Sequence, residues 1–250
     1  WKDKTDDRQV IGMKELQSII LAAGKGTRMK SDLAKVLHPV CGVPMLSYVL
    51  DAVQSAGSSK QYVVLGHHYD EVKVILPDHC IAVRQKELKG TADAVLKVKT
   101  HLADYGGDVV VLCGDTPLLR SETLKMMIKR HRGSGAAATI LTAVLSNSRG
   151  YGRIVRGTQG DPVAIREDQD ASKDERKILE INTGVYCFKS ASLFQALSQV
   201  EENSRKKEFY LTDVIEIMAE KRWKIDAVET DDPQEGFGVN SRKDLAVAQR

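Results

Sequence analysis

The stretch Leu21-Ala22-Ala23-Gly24-Lys25-Gly26-Thr27-Arg28-Met29, followed after a polar turn by Lys35, ends a hydrophobic strand in a glycine-hinged, cationic loop. Residues 16–22 supply the strand, with Ile19, Ile20 and Leu21 at its apolar end. Gly24 and Gly26 allow a sharp backbone turn whose N–H groups can face an anion, and Arg28 and Lys35 add positive charge. Such a loop is suited to holding phosphate. It is not a Walker loop, which ends in Gly-Lys-Ser/Thr, and it lacks the third glycine of a dinucleotide fingerprint. A Gly-Lys-Gly turn alone is more often an ordinary solvated loop. The small residues before it and the two cations after it carry the phosphate reading.

Outward from this loop, strand-like and helix-like segments alternate: 44–56 helical, 61–66 extended, 69–76 helical, 80–84 extended, 91–102 helical and 108–112 extended. That rhythm predicts an α/β fold of Rossmann-like type, a mostly parallel sheet flanked by helices. Asp108-Val109-Val110-Val111-Leu112 is a nearly continuous apolar run, as a central strand covered on both faces requires. It delivers Gly114-Asp115 to its carboxyl end, where ligands bind in open α/β sheets, so the loops after 21 and after 112 are expected to meet. Ser121 and Glu122 read as the N-cap and first-turn acid of a helix to about Arg132, and 136–145 as a strand. Residues 151–166 read as two short strands around Gly157 and Gly160, and 178–188 as another, a β-rich insertion over the site. A helix near 211–222, a strand near 224–229 and a last helix from Ser241 complete the chain.

The 250 residues, 42% of them hydrophobic, suffice for one large domain, placed at 13–250 after a polar leader at 1–12 of unknown origin. The 37 basic and 34 acidic side chains, a net charge of +3, are spread along the chain without the basic face of a nucleic-acid binder. Cys41, Cys80, Cys113 and Cys187 are widely spaced, which suggests neither a disulfide framework nor a zinc site. No apolar run has the length of a membrane span and no signal peptide is evident, so a cytoplasmic protein without membrane or nucleic-acid partners is predicted.

Two further motifs carry chemistry. Asp115, on a turn past a buried strand and beside Pro117, suits a Mg2+ ligand, because magnesium takes hard oxygen donors and is commonly bound by one or two protein groups plus substrate phosphates. An aspartate there can also simply cap the turn. Gln85, with Gly90 and Thr91 five and six residues on, places an amide and a small-residue turn where they can read a pyrimidine edge. Taken alone, Gly-Thr-Ala is more often an ordinary helix start.

These motifs, in this order, resemble the uridyltransferase (pyrophosphorylase) part of the bifunctional bacterial N-acetylglucosamine-1-phosphate uridyltransferases. The likeness covers Leu16 to Arg250 and includes Tyr151-Gly152-Arg153-Ile154, Glu180-Ile181-Asn182-Thr183-Gly184, Glu208-Phe209-Tyr210-Leu211-Thr212-Asp213 and Gly238-Val239-Asn240-Ser241-Arg242. It implies a nucleotidyltransferase-type fold and the reaction of UTP with N-acetylglucosamine 1-phosphate to give UDP-N-acetylglucosamine, a cell-wall precursor, and pyrophosphate. It further implies that Leu21, Ala22, Ala23 and Gly24 line the nucleotide, with Arg28 and Lys35 on its phosphates. Gln85, Gly90 and Thr91 would recognise uracil, and Gly152, Glu167 and Asn182 the sugar. Mg2+ would sit on Asp115 and Asn240, and Arg28, Lys35 and Asp115 would be the catalytic set. Without the family, Gly152 could serve only a turn, Asn182 a strand end, and Asn240 the cap of the last helix.

The chain departs from the family pattern at Arg166-Glu167-Asp168, where Val-Glu-His is frequent, and at Asp93, where His is common. The first departure leaves the orientation of Glu167 open. Bifunctional members continue into a hexapeptide-repeat β-helix that performs acetyl transfer and builds a trimer. Nothing of that kind precedes Arg250, so no acetyltransferase activity and weak or absent oligomerisation are expected. The rival readings are a nucleotidyltransferase of other sugar or base specificity and a non-catalytic nucleotide-sugar-binding protein. A dehydrogenase is disfavoured by the missing dinucleotide glycine pattern.

Overall fold

The computed structural model describes residues 15–204 and 207–249. The leader expected at 1–12, and Met13 after it, lie outside the described residues. The strands are β1 (Leu16–Ala22), β2 (Pro39–Val40), β3 (Val43–Pro44), β4 (Ser58–Leu65), β5 (Cys80–Arg84), β6 (Asp108–Cys113), β7 (Ala138–Val144), β8 (Arg153–Arg156), β9 (Pro162–Arg166), β10 (Glu180–Lys189) and β11 (Ile225–Glu229). The helices are α1 (Met45–Ser55), α2 (Tyr69–Lys73), α3 (Thr91–Leu96), α4 (Ser121–Ser134), α5 (Ser190–Leu197), α6 (Asp213–Glu220) and α7 (Arg242–Ala248).

The main sheet runs in the order β11-β7-β10-β6-β1-β4-β5, with the β8–β9 hairpin attached to β10, and β2 and β3 pair separately. β1 is parallel to β4 and to β6, β4 to β5, and β7 to β11, whereas β10 runs antiparallel between β6 and β7. The predicted mostly parallel, helix-flanked sheet is what the chain forms.

Period-two alternation sorts the central strands onto two cores. Ile19, Tyr62, Val64, Val109 and Val111 face one side with Ala92 and Val95 of α3, Leu193 of α5, and Val214 and Met218 of α6. Their neighbours Ile20, Val63, Leu65, Val110 and Leu112 face the other with Leu46, Val49 and Leu50 of α1, and Leu124 and Met127 of α4. Burial on both faces explains why β6 reads as an unbroken apolar run rather than an alternating one. Each such aliphatic side chain contributes roughly 1.5–3 kcal/mol when fully buried.

Several local expectations differ from the structure. α2 stops at Lys73 and the chain continues in i→i+3 turns, the Ile75 and Leu76 N–H groups donating to the Val72 and Lys73 carbonyls, up to Pro77. The 91–102 run is α-helical only to Leu96 and becomes a 3-10 turn at Lys99–Leu102. Ser121 is not the N-cap of α4: Arg120 holds that place in extended conformation, and the Ser121 hydroxyl donates to Glu122 instead. α5 and the β2–β3 hairpin were not foreseen. Among the described residues, no helix is long and apolar enough to cross a membrane.

Candidate active site

β1 is followed by β4 and β5 on one side, and the chain then returns to lay β6 on the other, so the strand order reverses between β1 and β6. A crevice forms at such a switch point, beyond the carboxyl ends of the strands. Leu21 lies beside Cys113, and the Gly114 N–H donates to the Leu21 carbonyl at 2.9 Å before the two chains part. A cleft of about 700 Å³ opens there. Its lining includes Leu21, Ala22, Ala23, Gly24, Arg28 and Lys35 from the loop after β1, Gln85, Gly90 and Thr91 from the segment after β5, and Asp115, Glu167 and Asn240 from later in the chain.

The loop turns at Gly26, whose φ of +63° and whose position, 2.7 Å from Lys35 Cβ were a side chain added, admit only glycine. No α-helix follows it: Thr27–Met29 and Lys35–Leu37 are 3-10 turns. What the loop offers an anion is therefore backbone N–H groups and side-chain cations, without the helix dipole of a Rossmann or Walker loop.

Asp115 and Asn240 meet because the Val239 N–H donates to the Asp115 carbonyl at 2.9 Å, which lays the 238–240 segment along the Gly114-Asp115 turn. Lys35 Nζ donates to the Asp115 carboxylate and, at 2.9 Å, to Asn240 Oδ1. Arg28 Nη2 donates to the same Oδ1 at 2.7 Å, while Asn240 Nδ2 donates to the Gly238 carbonyl at 3.1 Å. With donors on one side and an acceptor on the other, the carboxamide can point only its oxygen into the cleft. Capping of α7 falls to Ser241, whose hydroxyl accepts from the Asp244 N–H at 3.2 Å, so Asn240 is not the cap. Asp115 and Asn240 thus turn two hard oxygens toward Lys35 Nζ, and this donor set fits a magnesium ion also held by phosphate and water once the ammonium gives way to it. Among the described residues there is no cluster of three or more His, Cys, Asp or Glu suited to a metal. Arg242, to which no role was assigned from the sequence, ties this corner to the loop by donating to the Met29 carbonyl at 3.0 Å and the Lys30 carbonyl at 3.3 Å.

Gln85 follows β5, is 3% exposed, and donates through Nε2 to the Gly90 carbonyl at 3.1 Å and to Asp93 at 2.8 Å. Its carboxamide is committed as a donor inside the protein, which leaves Oε1 to accept. Gly90 has a φ of +100°, and a Cβ there would lie 2.4 Å from the Phe209 carbonyl oxygen. The close approach it permits is therefore with the 208–211 segment. The Ala92 N–H donates to the Phe209 carbonyl at 2.9 Å, and the Thr91 hydroxyl accepts from the Leu211 N–H at 2.9 Å.

β10, expected as part of the β-rich insertion, lies instead in the main sheet between β6 and β7, and only the β8–β9 hairpin branches from it. Since β10 is antiparallel to β6, with Tyr186 opposite Val111, the residues before Tyr186 project past the carboxyl end of β6. A bulge between Asn182 and Val185 re-aims the strand there, and Gly184 takes a φ of +79°. Asn182 Oδ1 accepts from the Gly184 N–H at 3.0 Å, and its Nδ2 donates to Tyr186 Oη at 2.7 Å. Gly152 abuts Asn182 through the Asn182 N–H, and a Cβ on it would come within 2.9 Å of Ile165 Cγ2. Gly152 and Asn182 are not among the residues that line the cleft.

Glu167 is on the wall, where its carboxylate accepts from the Thr212 hydroxyl at 3.1 Å. The extra charges beside it are directed elsewhere. Arg166 pairs with Glu175 and Glu216 at 3.2 Å, and Asp168 with the buried Arg153 at 2.8 Å. Gln169, not singled out from the sequence, also lines the cleft, as do Glu208 and Tyr210, which the sequence offered within a matching string without a role, and Gln169 Nε2 donates to Tyr210 Oη at 2.7 Å. Burial, and then the Asp115 charge, push the Cys113 thiol up to about 12, so it faces the cleft as a neutral thiol.

The sequence matches the MobA-like NTP transferase domain over residues 18–215. The chain belongs to this family. Over 95% of its length this NTP transferase is 45% identical to the bifunctional protein GlmU of Geobacillus thermodenitrificans. It is 46% identical over 93% of its length to that of Bacillus subtilis. These two alignments take in 52% and 51% of the relatives, so the chain spans about half their length. The GlmU protein of Desulfotalea psychrophila is 44% identical, with 93% of this chain and 69% of that one aligned. The resemblance to the uridyltransferase part of that family is thus borne out. In fold, this NTP transferase is similar to a UDP-glucose pyrophosphorylase solved with UDP-glucose, at a TM-score of 0.77 and 17% identity over 95% of this chain and 97% of that one.

Proposed function

We propose that this cleft transfers a uridylyl group from UTP to N-acetylglucosamine 1-phosphate, giving UDP-N-acetylglucosamine and pyrophosphate. The observation that carries the reading is the convergence of Arg28 and Lys35 with Asp115 and Asn240 at the mouth of the β1–β6 crevice. The GlmU proteins are its relatives, and it shares the fold of a UDP-glucose pyrophosphorylase.

In this reading the triphosphate rests on the Gly24 to Gly26 backbone, with Arg28 and Lys35 drawing charge away from the leaving pyrophosphate. The uracil lies against Gln85, Gly90 and Thr91, where Oε1 accepts from the base N3–H. Glu167 meets sugar hydroxyls on the opposite wall, and Asn182 and Gly152 act by holding that wall in place. An oxygen of the sugar 1-phosphate attacks the α-phosphorus in line. The new O–Pα bond forms as the bond from Pα to the oxygen bridging to the β-phosphate breaks. A phosphate monoester dianion is already a competent nucleophile and needs no general base, so the reading is a single displacement. Catalysis then consists of bringing two anions together and neutralising the developing charge. Asp115 and Asn240 would hold Mg2+, which when bound supplies charge neutralisation on the phosphates. UTP is a cytosolic nucleotide, so the reaction is placed in the cytoplasm.

Phosphorus NMR of the purified chain with magnesium, UTP and N-acetylglucosamine 1-phosphate tests this. Diphosphate doublets of a UDP-sugar and a pyrophosphate singlet should grow in equal amounts. Release of inorganic phosphate with the sugar phosphate unchanged would refute transfer.

A further inference from the structure

From the geometry around Gln85 we infer that Asp93 is a positioning residue for base selection. It fixes the orientation of the Gln85 carboxamide, so that the nucleotide subsite takes a pyrimidine bearing an N3–H donor and rejects one with a bare N3 lone pair. The inference rests on the uridylyl-transfer reading for the placement of the base. Gln85 is 3% exposed, and its amide group can be turned either way about the terminal bond at almost no intrinsic cost. Its neighbours decide which way it faces. Nε2 lies 2.8 Å from Asp93 Oδ2 and 3.1 Å from the Gly90 carbonyl, and both partners can only accept. Reversing the amide would set Oε1 against a carboxylate and a carbonyl in a buried place, leaving three acceptors facing one another with no proton between them.

Asp93 is itself held. It sits in the first turn of α3, and its other oxygen, Oδ1, accepts from Lys97 Nζ at 2.8 Å, one helical turn on. The two oxygens of one carboxylate are thus divided between Lys97 and Gln85. The Gly90 carbonyl alone is a weaker constraint, because it belongs to a turn that also follows the 208–211 segment. Of the two groups around Nε2, the charged one is Asp93, and its removal most lowers the cost of reversal. A reversed amide would present N–H to the base, matching the N3 lone pair of cytosine.

The test is nucleotide binding, which does not depend on turnover. Titration calorimetry with UTP and with CTP on the wild type should show UTP favoured. In Asp93→Ala the ratio of the two dissociation constants should fall by on the order of tenfold or more. Asp93→Asn, which keeps the shape and can face Gln85 with either its oxygen or its nitrogen, should lower the ratio in the same direction. Loss of a negative charge near the nucleotide strengthens both ligands alike, so the ratio and not either affinity is diagnostic. A role confined to stabilising α3 would move both affinities and the melting temperature without moving the ratio. The Gln85 side-chain amide resonances should also lose one strongly shifted proton in Asp93→Ala. A wild-type preference for UTP that both variants retain in full would overturn the inference and leave uridylyl transfer standing. A wild type that binds neither nucleotide would sink both, and one that binds both equally would remove Gln85 as the base reader and this inference with it.

Discussion

Arg28 and Asn240, 212 residues apart in the chain, meet at 2.7 Å. The contact joins the phosphate loop after the first strand to the segment before the last helix, and it works through the oxygen that Lys35 also reaches. Two cations and two oxygen ligands are therefore held in one corner by three distant parts of the sequence.

Arg28→Ala removes one of the two cations proposed for the leaving pyrophosphate. By analogy with other preorganised charge-stabilising donors, kcat/KM should fall on the order of 10² to 10³. Steady-state kinetics would check this, and a change below about threefold would remove Arg28 from the catalytic set.

Gly90→Ala should destabilise the fold. Its φ of +100° and the 2.4 Å separation between an added Cβ and the Phe209 carbonyl oxygen leave the backbone nowhere to relax cheaply. A loss of roughly 3 kcal/mol in urea unfolding is expected.

Much of this was legible beforehand. β1, β5 and β6 are short apolar runs bounded by polar turns, so their place followed from pattern, as did the meeting of the loops after Leu21 and Cys113. What could not be read was set by long-range geometry. The place of Asn182 off the cleft lining goes with the direction of β10 and its bulge, neither of which is written in local periodicity. The bonds of Arg242 to Met29 and Lys30, and of Gln85 to Asp93, appear only once elements are packed. The Ser121 cap was misplaced by one residue, because Arg120 is extended and takes the capping position without a side-chain bond.

Glu235 is 1% exposed and gathers Arg120, Thr123 and Thr230 around its carboxylate, which fixes the turn leading to Asn240. Glu235→Ala strands those donors. A stability loss of about 2 kcal/mol, with weakened nucleotide binding, is expected in denaturation and titration experiments.

Asp213 has its carboxyl pushed up to about 6, first by burial and then by the Glu216 and Glu167 charges. The folded state therefore holds this proton more tightly than the unfolded chain. Its contribution to stability is present below the ordinary carboxylate range and is lost as pH rises toward 6. Asp213→Asn should melt higher than the wild type at pH 7, by an amount reflecting about 1 kcal/mol after solvent screening, and the gap should close near pH 4. A gap independent of pH would contradict the assignment.

The most direct measurement is pyrophosphate release by the purified chain with magnesium and UTP, beside Asp115→Ala at matched melting temperature. The account predicts release that begins only on addition of N-acetylglucosamine 1-phosphate, is far slower with glucose 1-phosphate, and disappears in the variant. Equal rates with both sugar phosphates, or an Asp115→Ala enzyme as active as the wild type, would contradict it.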